Sequence, residues 1–173
     1  MYTGNMIVTG KRIEEELFGK AVDGNKIPQY EPYTKALANI KTMPSNSHPK
    51  SPIKDFARLL CLEVIKQSSS QDTKFYTAVG SAFDRWHGVD AVIELATEAG
   101  KQIIVTIDVT KKAAKPDGKA DIIFTVPEDG LPDYPKVIRD SYDQYDKNEF
   151  CKHINLLAGE VVKVIKQKLS LAN

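Results

Sequence analysis

Two stretches decide the fold: Ser81-Ala82-Phe83-Asp84-Arg85-Trp86-His87-Gly88-Val89-Asp90-Ala91-Val92-Ile93-Glu94, and Ile103-Ile104-Val105-Thr106-Ile107-Asp108-Val109-Thr110-Lys111-Lys112. In the first, residues 89–95 alternate. This places Asp90, Val92 and Glu94 on one face of a strand and Val89, Ala91, Ile93 and Leu95 on the other. In the second, residues 102–110 are almost continuously apolar and β-branched, the pattern of a central strand covered on both faces. Glu98-Ala99-Gly100-Lys101 connects the two, which predicts an antiparallel pair. The first strand carries Asp90 and Glu94, the second carries Asp108, and lysines follow the second. Aspartate is costly to bury alone, so Asp108 requires a hydrogen-bond donor, a cation or a metal as its partner.

Downstream, a lysine-rich loop over residues 111–119 precedes a third strand at 120–126. Between Lys101 and Ala120 five lysines stand against two aspartates, the most basic surface adjoining the carboxylates. Upstream, residues 80–88 read as a turn or loop and residues 75–79 as extended. Ser51-Pro52 starts a helix that runs to about Gln67, with serine capping the first amides and proline in the first turn. Ile53, Phe56, Ala57, Leu60 and Val64 form its apolar stripe, and Glu63 falls at the edge, between Phe56 and Leu59. Glu63 there either reaches out to water or is aimed at a site on the neighbouring sheet.

Residues 1–50 predict a short strand at 6–9 and helices around 12–20 and 33–41, interrupted by Pro28, Pro32, Pro44 and Pro49. Residues 41–54 carry Lys41, Lys50 and Lys54 with no acid, and read as an exposed loop. Residues 128–149 are acidic and tyrosine-bearing, with turn signals. Phe150, Ile154, Leu157, Val161, Val164, Ile165 and Leu169 then recur at helical spacing, a helix whose default role is packing on the sheet, with a homodimer face as the alternative. The expected fold is an α/β single domain over residues 1–173 with a mixed central β-sheet flanked by helices. It comprises an N-terminal helical and loop extension (1–50), a core (51–126), and an acidic stretch followed by the C-terminal helix (127–173).

The composition, 42% hydrophobic and 27% charged over 173 residues, suits one globular domain with an ordinary core. A net charge of +1 gives no overall nucleic-acid signature, so any polyanion site rests on local clustering. Cys61 and Cys151 lie among apolar helical neighbours, which predicts free thiols in a reducing compartment. The start, Met1-Tyr2-Thr3-Gly4-Asn5-Met6, has no basic region followed by an apolar stretch, and no run approaches the roughly 18 apolar residues of a membrane span. The expectation is a cytoplasmic protein with no membrane segment. His48, His87 and His153 are dispersed and the cysteines lack metal-ligand spacing, which argues against structural zinc. No nucleophile elbow, phosphate-binding glycine loop or dinucleotide fingerprint is present.

In order, a helix with Glu63, a strand opened by Gly88-Val89-Asp90, a strand closed by Ile107-Asp108-Val109, and then lysines resemble the restriction-endonuclease-like superfamily, the PD-(D/E)XK nucleases, over about residues 51–125. The resemblance implies a restriction-endonuclease-like core, with Asp90 as the first metal-binding acid, Asp108 as the second and Glu63 as an assisting helix glutamate. It puts Thr110 where the family has its lysine. That lysine orients or activates the attacking water, and threonine can only hydrogen-bond. Lys111 reaches the site only through a bulge, Lys112 points back to the Asp108 face about 13 Å along the strand, and Lys119 serves only if the next strand lies alongside.

The implied activity is metal-dependent hydrolysis of DNA phosphodiesters, as an endonuclease or exonuclease. Mg2+ would be held by Asp90, Asp108 and Glu63, with Mn2+ as a substitute. Lys111, Lys112, Lys115 and Lys119 would grip the DNA backbone through salt-dependent contacts. The alternative is a catalytically degenerate domain on the same fold, binding nucleic acid or protein as an adaptor. Asp84 reads as a turn residue, Trp86 as packing and His87 as a surface imidazole, with base stacking or phosphate contact as the sharper alternatives for the last two. Glu94 is either a further metal ligand or one partner of a cross-strand ion pair.

Overall fold

Alternation along residues 91–110 builds the centre of the molecule. The computed structural model describes residues 10–22, 26–47, 54–68, 72–97, 100–111, 119–127 and 144–171. In chain order its elements are α1 (Gly10–Phe18), α2 (Tyr33–Thr42), α3 (Pro44–Ser47), α4 (Lys54–Ser68), β1 (Asp72–Thr77), α5 (Ala82–His87), β2 (Ala91–Ala96), β3 (Gln102–Thr110), β4 (Ile122–Thr125) and α6 (Gln144–Ser170). The strands form one mixed sheet in the order β1-β2-β3-β4. The first three are antiparallel neighbours, with Phe75 opposite Ile93 and Ile93 opposite Val105. β4 runs parallel to β3, with Ile107 opposite Ile122. β4 thus enters beside Ile107, three residues back from the end of β3.

Both faces of the sheet are covered. Ala91, Ile93 and Leu95 of β2 and Ile103, Val105, Ile107 and Val109 of β3 join a main core with α1, α4 and α6. Val92 joins a second cluster with Ala36 and Ile40 of α2 and Phe83 of α5, against which Ile104 and Tyr76 pack. The sequence expectation of a mixed α/β architecture is therefore met. Residues 1–50 do more than extend a core: Ile13, Leu17 and Phe18 complete one face and Ala36 and Ile40 the other. The expected strand at 6–9 lies outside the described residues.

Residues 82–87, expected as loop, form α5. Ser81 caps it by accepting from the amides of Phe83 and Asp84, and Gly88 ends it in the left-handed region at φ 63°. Serine followed by an acid three residues later, with a glycine just past the end, is a helix signature that outweighs the flanking glycines. α6 is fastened at its far end by Lys168, whose ammonium donates to the Ile104 carbonyl (2.7 Å) and to Asp121 Oδ2 (2.8 Å). Asp121 also accepts from the Thr106 amide and hydroxyl. Among the described residues no helix is long and apolar enough to cross a membrane.

Phe56 is fully buried where α4 meets its neighbours, edge-on to Phe18 (6.1 Å) and to Phe150 (5.7 Å). Phe56→Ala is expected to cost about 3–5 kcal/mol, measured by urea unfolding. A loss below about 1 kcal/mol would mean that this junction of three helices is not the packed centre described.

Candidate metal centre

Where β2 begins and β3 ends, the backbone brings carboxylates together. The Asp90 amide donates to the Ile107 carbonyl (2.8 Å) and its carbonyl accepts from Ala78 (2.8 Å), which fixes the residue just ahead of the β2 ladder. Its side chain is buried, and Oδ2 accepts from the Val109 amide at 2.7 Å. Asp84, in the first turn of α5, accepts from the Gly80 amide through Oδ2, also at 2.7 Å. Glu14 comes from α1. Glu14, Asp84 and Asp90 each bring one oxygen within 4.8 Å of the others. One acid therefore derives from a helix on the main-core face, one from a helix on the opposite face, and one from the residue that leads into the strand between them.

This crowding shows in the protonation of Asp90. Burial first, and then the negative charge of Glu14, push its carboxyl up to about 9; Asp84 and Asp108 add to the rise, while the Val109 hydrogen bond opposes it. A carboxylate that is costly to ionise among other acids is relieved by a cation. An all-oxygen, carboxylate-only donor set suits hard divalent ions such as Mg2+ or Mn2+ rather than zinc.

The expected ligand set is thus regrouped. Asp90 stands at the centre. Asp108 is buried and near enough to act on Asp90 electrostatically, but it is outside the 4.8 Å group. Strand alternation explains this: Ile107 and Val109 belong to the main core, so Asp108 faces the other way with Ile104 and Thr106. Alternation also does not extend back through Asp90, because β2 begins at Ala91 and Val89 packs with Val92.

Glu63 is not in the group. Its carboxylate is occupied on α4 itself, accepting from Gln67 Nε2 at 3.0 Å and pairing with Lys66 at 3.4 Å. The helix acid that joins the group is Glu14. The signal was present: Glu14 precedes Leu17 and Phe18 by three and four residues, the same edge-of-stripe argument that selected Glu63.

Thr110 ends β3 opposite Thr125, and Lys111 follows it, half-buried. Lys112 and Lys115 lie outside the described residues. β4 does lie alongside β3, yet Lys119 comes two residues before Asp121, which is bonded to Thr106, and so sits toward the Ile104 end of β3, away from Asp108. Glu94 forms an ion pair, with Lys41 of α2 rather than across the strands. His87 is buried, not a surface imidazole; Nε2 meets the Glu31 carbonyl at 2.8 Å among the rings of Tyr30, Tyr33 and Phe83.

Comparison with family models, curated proteins and solved structures finds no match for this chain.

The raised Asp90 carboxyl has a defined sign in stability. The folded state holds this proton to about pH 9 while the ordinary aspartate value is 3.8. The metal-free fold is therefore favoured most below about pH 4 and loses that contribution progressively as pH rises toward about 9. Thermal melts of metal-free protein between about pH 5 and about pH 9 are expected to show wild type falling relative to Asp90→Asn. Saturating Mn2+ should narrow the difference by raising wild type alone. Parallel melting curves for the two proteins would remove Asp90 as the strained acid.

Proposed function

We propose that this protein is a divalent-metal-dependent nuclease that hydrolyses DNA phosphodiesters, on a restriction-endonuclease-like core. The observation that carries it is the grouping of Glu14, Asp84 and Asp90 around the start of β2, with Asp108 adjacent. The mixed sheet supports the resemblance, with an acid at the start of one strand, a second acid late in its antiparallel neighbour, and a helix glutamate from an earlier element.

A bound Mg2+ or Mn2+ supplies charge neutralisation at the phosphate and a nucleophile at neutral pH. The chain's own groups do the positioning. The Val109 and Gly80 amides hold the Asp90 and Asp84 carboxylates in fixed orientations, so little reorganisation is needed when charge develops. Lys111, following β3, is the nearest described lysine in sequence to the Asp108 end and is the candidate for the work of the family's lysine, while Thr110 retains only hydrogen bonding.

Threonine at position 110 favours a second reading, a degenerate relative that binds nucleic acid or protein without cleaving.

Cleavage of single-stranded, duplex and branched DNA with Mg2+ or Mn2+ tests both. Glu14→Gln and Asp90→Asn are each expected to lose on the order of 100-fold or more in rate. Glu63→Gln, which disturbs only a surface pair, should stay within about twofold. Cleavage by Thr110→Lys but not by wild type would establish the degenerate reading. Silence from both, with no Mn2+ binding, would defeat the metal-centre reading altogether.

A further inference from the structure

α5 carries two kinds of residue on six positions. Asp84 belongs to the acidic group, while Arg85 and Trp86, next along, are exposed. Trp86 is 41% exposed although tryptophan is a large apolar residue, and Tyr30, set edge-on to it at 6.0 Å, is 65% exposed. Ile27 beside them in sequence is 72% exposed. These rings are held in place. The Trp86 indole donates to the Pro28 carbonyl at 2.9 Å and His87 bonds the Glu31 carbonyl, so adjacent residues of α5 pin residues 28–31 at two points. Tyr30 lies between the pins.

We propose that Tyr30 and Trp86 form a stacking platform for unpaired nucleobases of a single-stranded DNA segment flanking the cleaved bond, with Arg85 meeting its phosphate. This rests on the nuclease reading and adds a substrate class to it.

Exposed aromatic faces beside a guanidinium are the combination that binds single strands without reading sequence: bases stack and the backbone is neutralised. A paired base offers no free face, so the platform selects unstacked nucleotides. Position agrees with a flanking role. Trp86 is two residues beyond Asp84, about 3 Å along the helix and about 200° around it, so the rings lie on the far side of α5 from Asp84, with Arg85 at the intervening position, and a strand reaches them by crossing the helix. The immobilised indole loses little freedom on stacking, which keeps the cost of binding low.

Trp86 is the single tryptophan of the chain, so its emission reports the platform directly. In EDTA, to prevent cleavage, oligothymidylate of about ten nucleotides is expected to quench Trp86, and an abasic strand of equal length and charge is not. Tyr30→Ala should weaken oligothymidylate binding on the order of tenfold, with Tyr30→Phe restoring it. Tyr30 belongs to neither core cluster, and Tyr30→Phe keeps its ring against His87. Equal responses to the two strands, unchanged binding by Tyr30→Ala, or an emission change that follows protein concentration alone would each overturn the proposal.

The two readings fail separately. Base-dependent quenching without metal-dependent cleavage keeps the platform and removes the nuclease; cleavage without base-dependent quenching does the reverse.

Discussion

The hydrogen bond from the Val109 amide to the Asp90 carboxylate is the constraint on which the site depends. It ties the start of β2 to the end of β3, and it works because Asp90's own amide is already committed to Ile107. A buried carboxylate is thereby held at the margin of an apolar sheet, where burial and neighbouring acids lift its carboxyl far above the ordinary aspartate value. The surrounding fold supplies what that requires. Val89 and Val92 lock the strand against α5 and α2, while Ala91 and Ile93 lock it against the main core.

Two other acids of the sheet face cations, whereas the acidic group brings acids together. Glu94 is buried like Asp90, though less deeply, and Lys41 supplies its counter-charge. Asp121 accepts from Thr106 and from Lys168, fastening the last turns of α6 across the sheet margin. These are pairings of opposite charge that stabilise geometry. Glu14, Asp84 and Asp90 are instead acids brought within 4.8 Å of one another, and what costs free energy in the metal-free fold is the ionisation of Asp90, whose proton is held to about pH 9. Strain of that kind concentrates at functional sites, which is why the start of β2 carries the functional reading and the Glu94 and Asp121 networks do not.

The amino-acid sequence by itself determined the two central strands, their antiparallel pairing, the helix around residues 33–41, the helix that ends near Gln67 (its expected start at Ser51-Pro52 lies outside the described residues), and the C-terminal helix. Periodicity is a local property, and hydrophobic burial enforces it. It also marked Asp90 and Asp108, because an aspartate beside β-branched runs is conspicuous wherever the chain folds. The short helix α5 was written locally as well, in Ser81, Asp84 and Gly88, but two flanking glycines masked the cap.

Only the tertiary structure decided which acids meet. Glu14 lies 70 residues before Asp84 in sequence, and no local pattern ranks it above Glu63; both sit at the edge of an apolar stripe. The choice is made by packing, since α1 is drawn onto the sheet through Ile13, Leu17 and Phe18, while Glu63 finds Lys66 and Gln67 on its own helix. The facing of Asp108 is likewise a matter of register, set where Ile107 and Val109 enter the main core. Side-chain direction along a strand is legible from sequence up to a phase, and the phase is fixed by what the strand packs against.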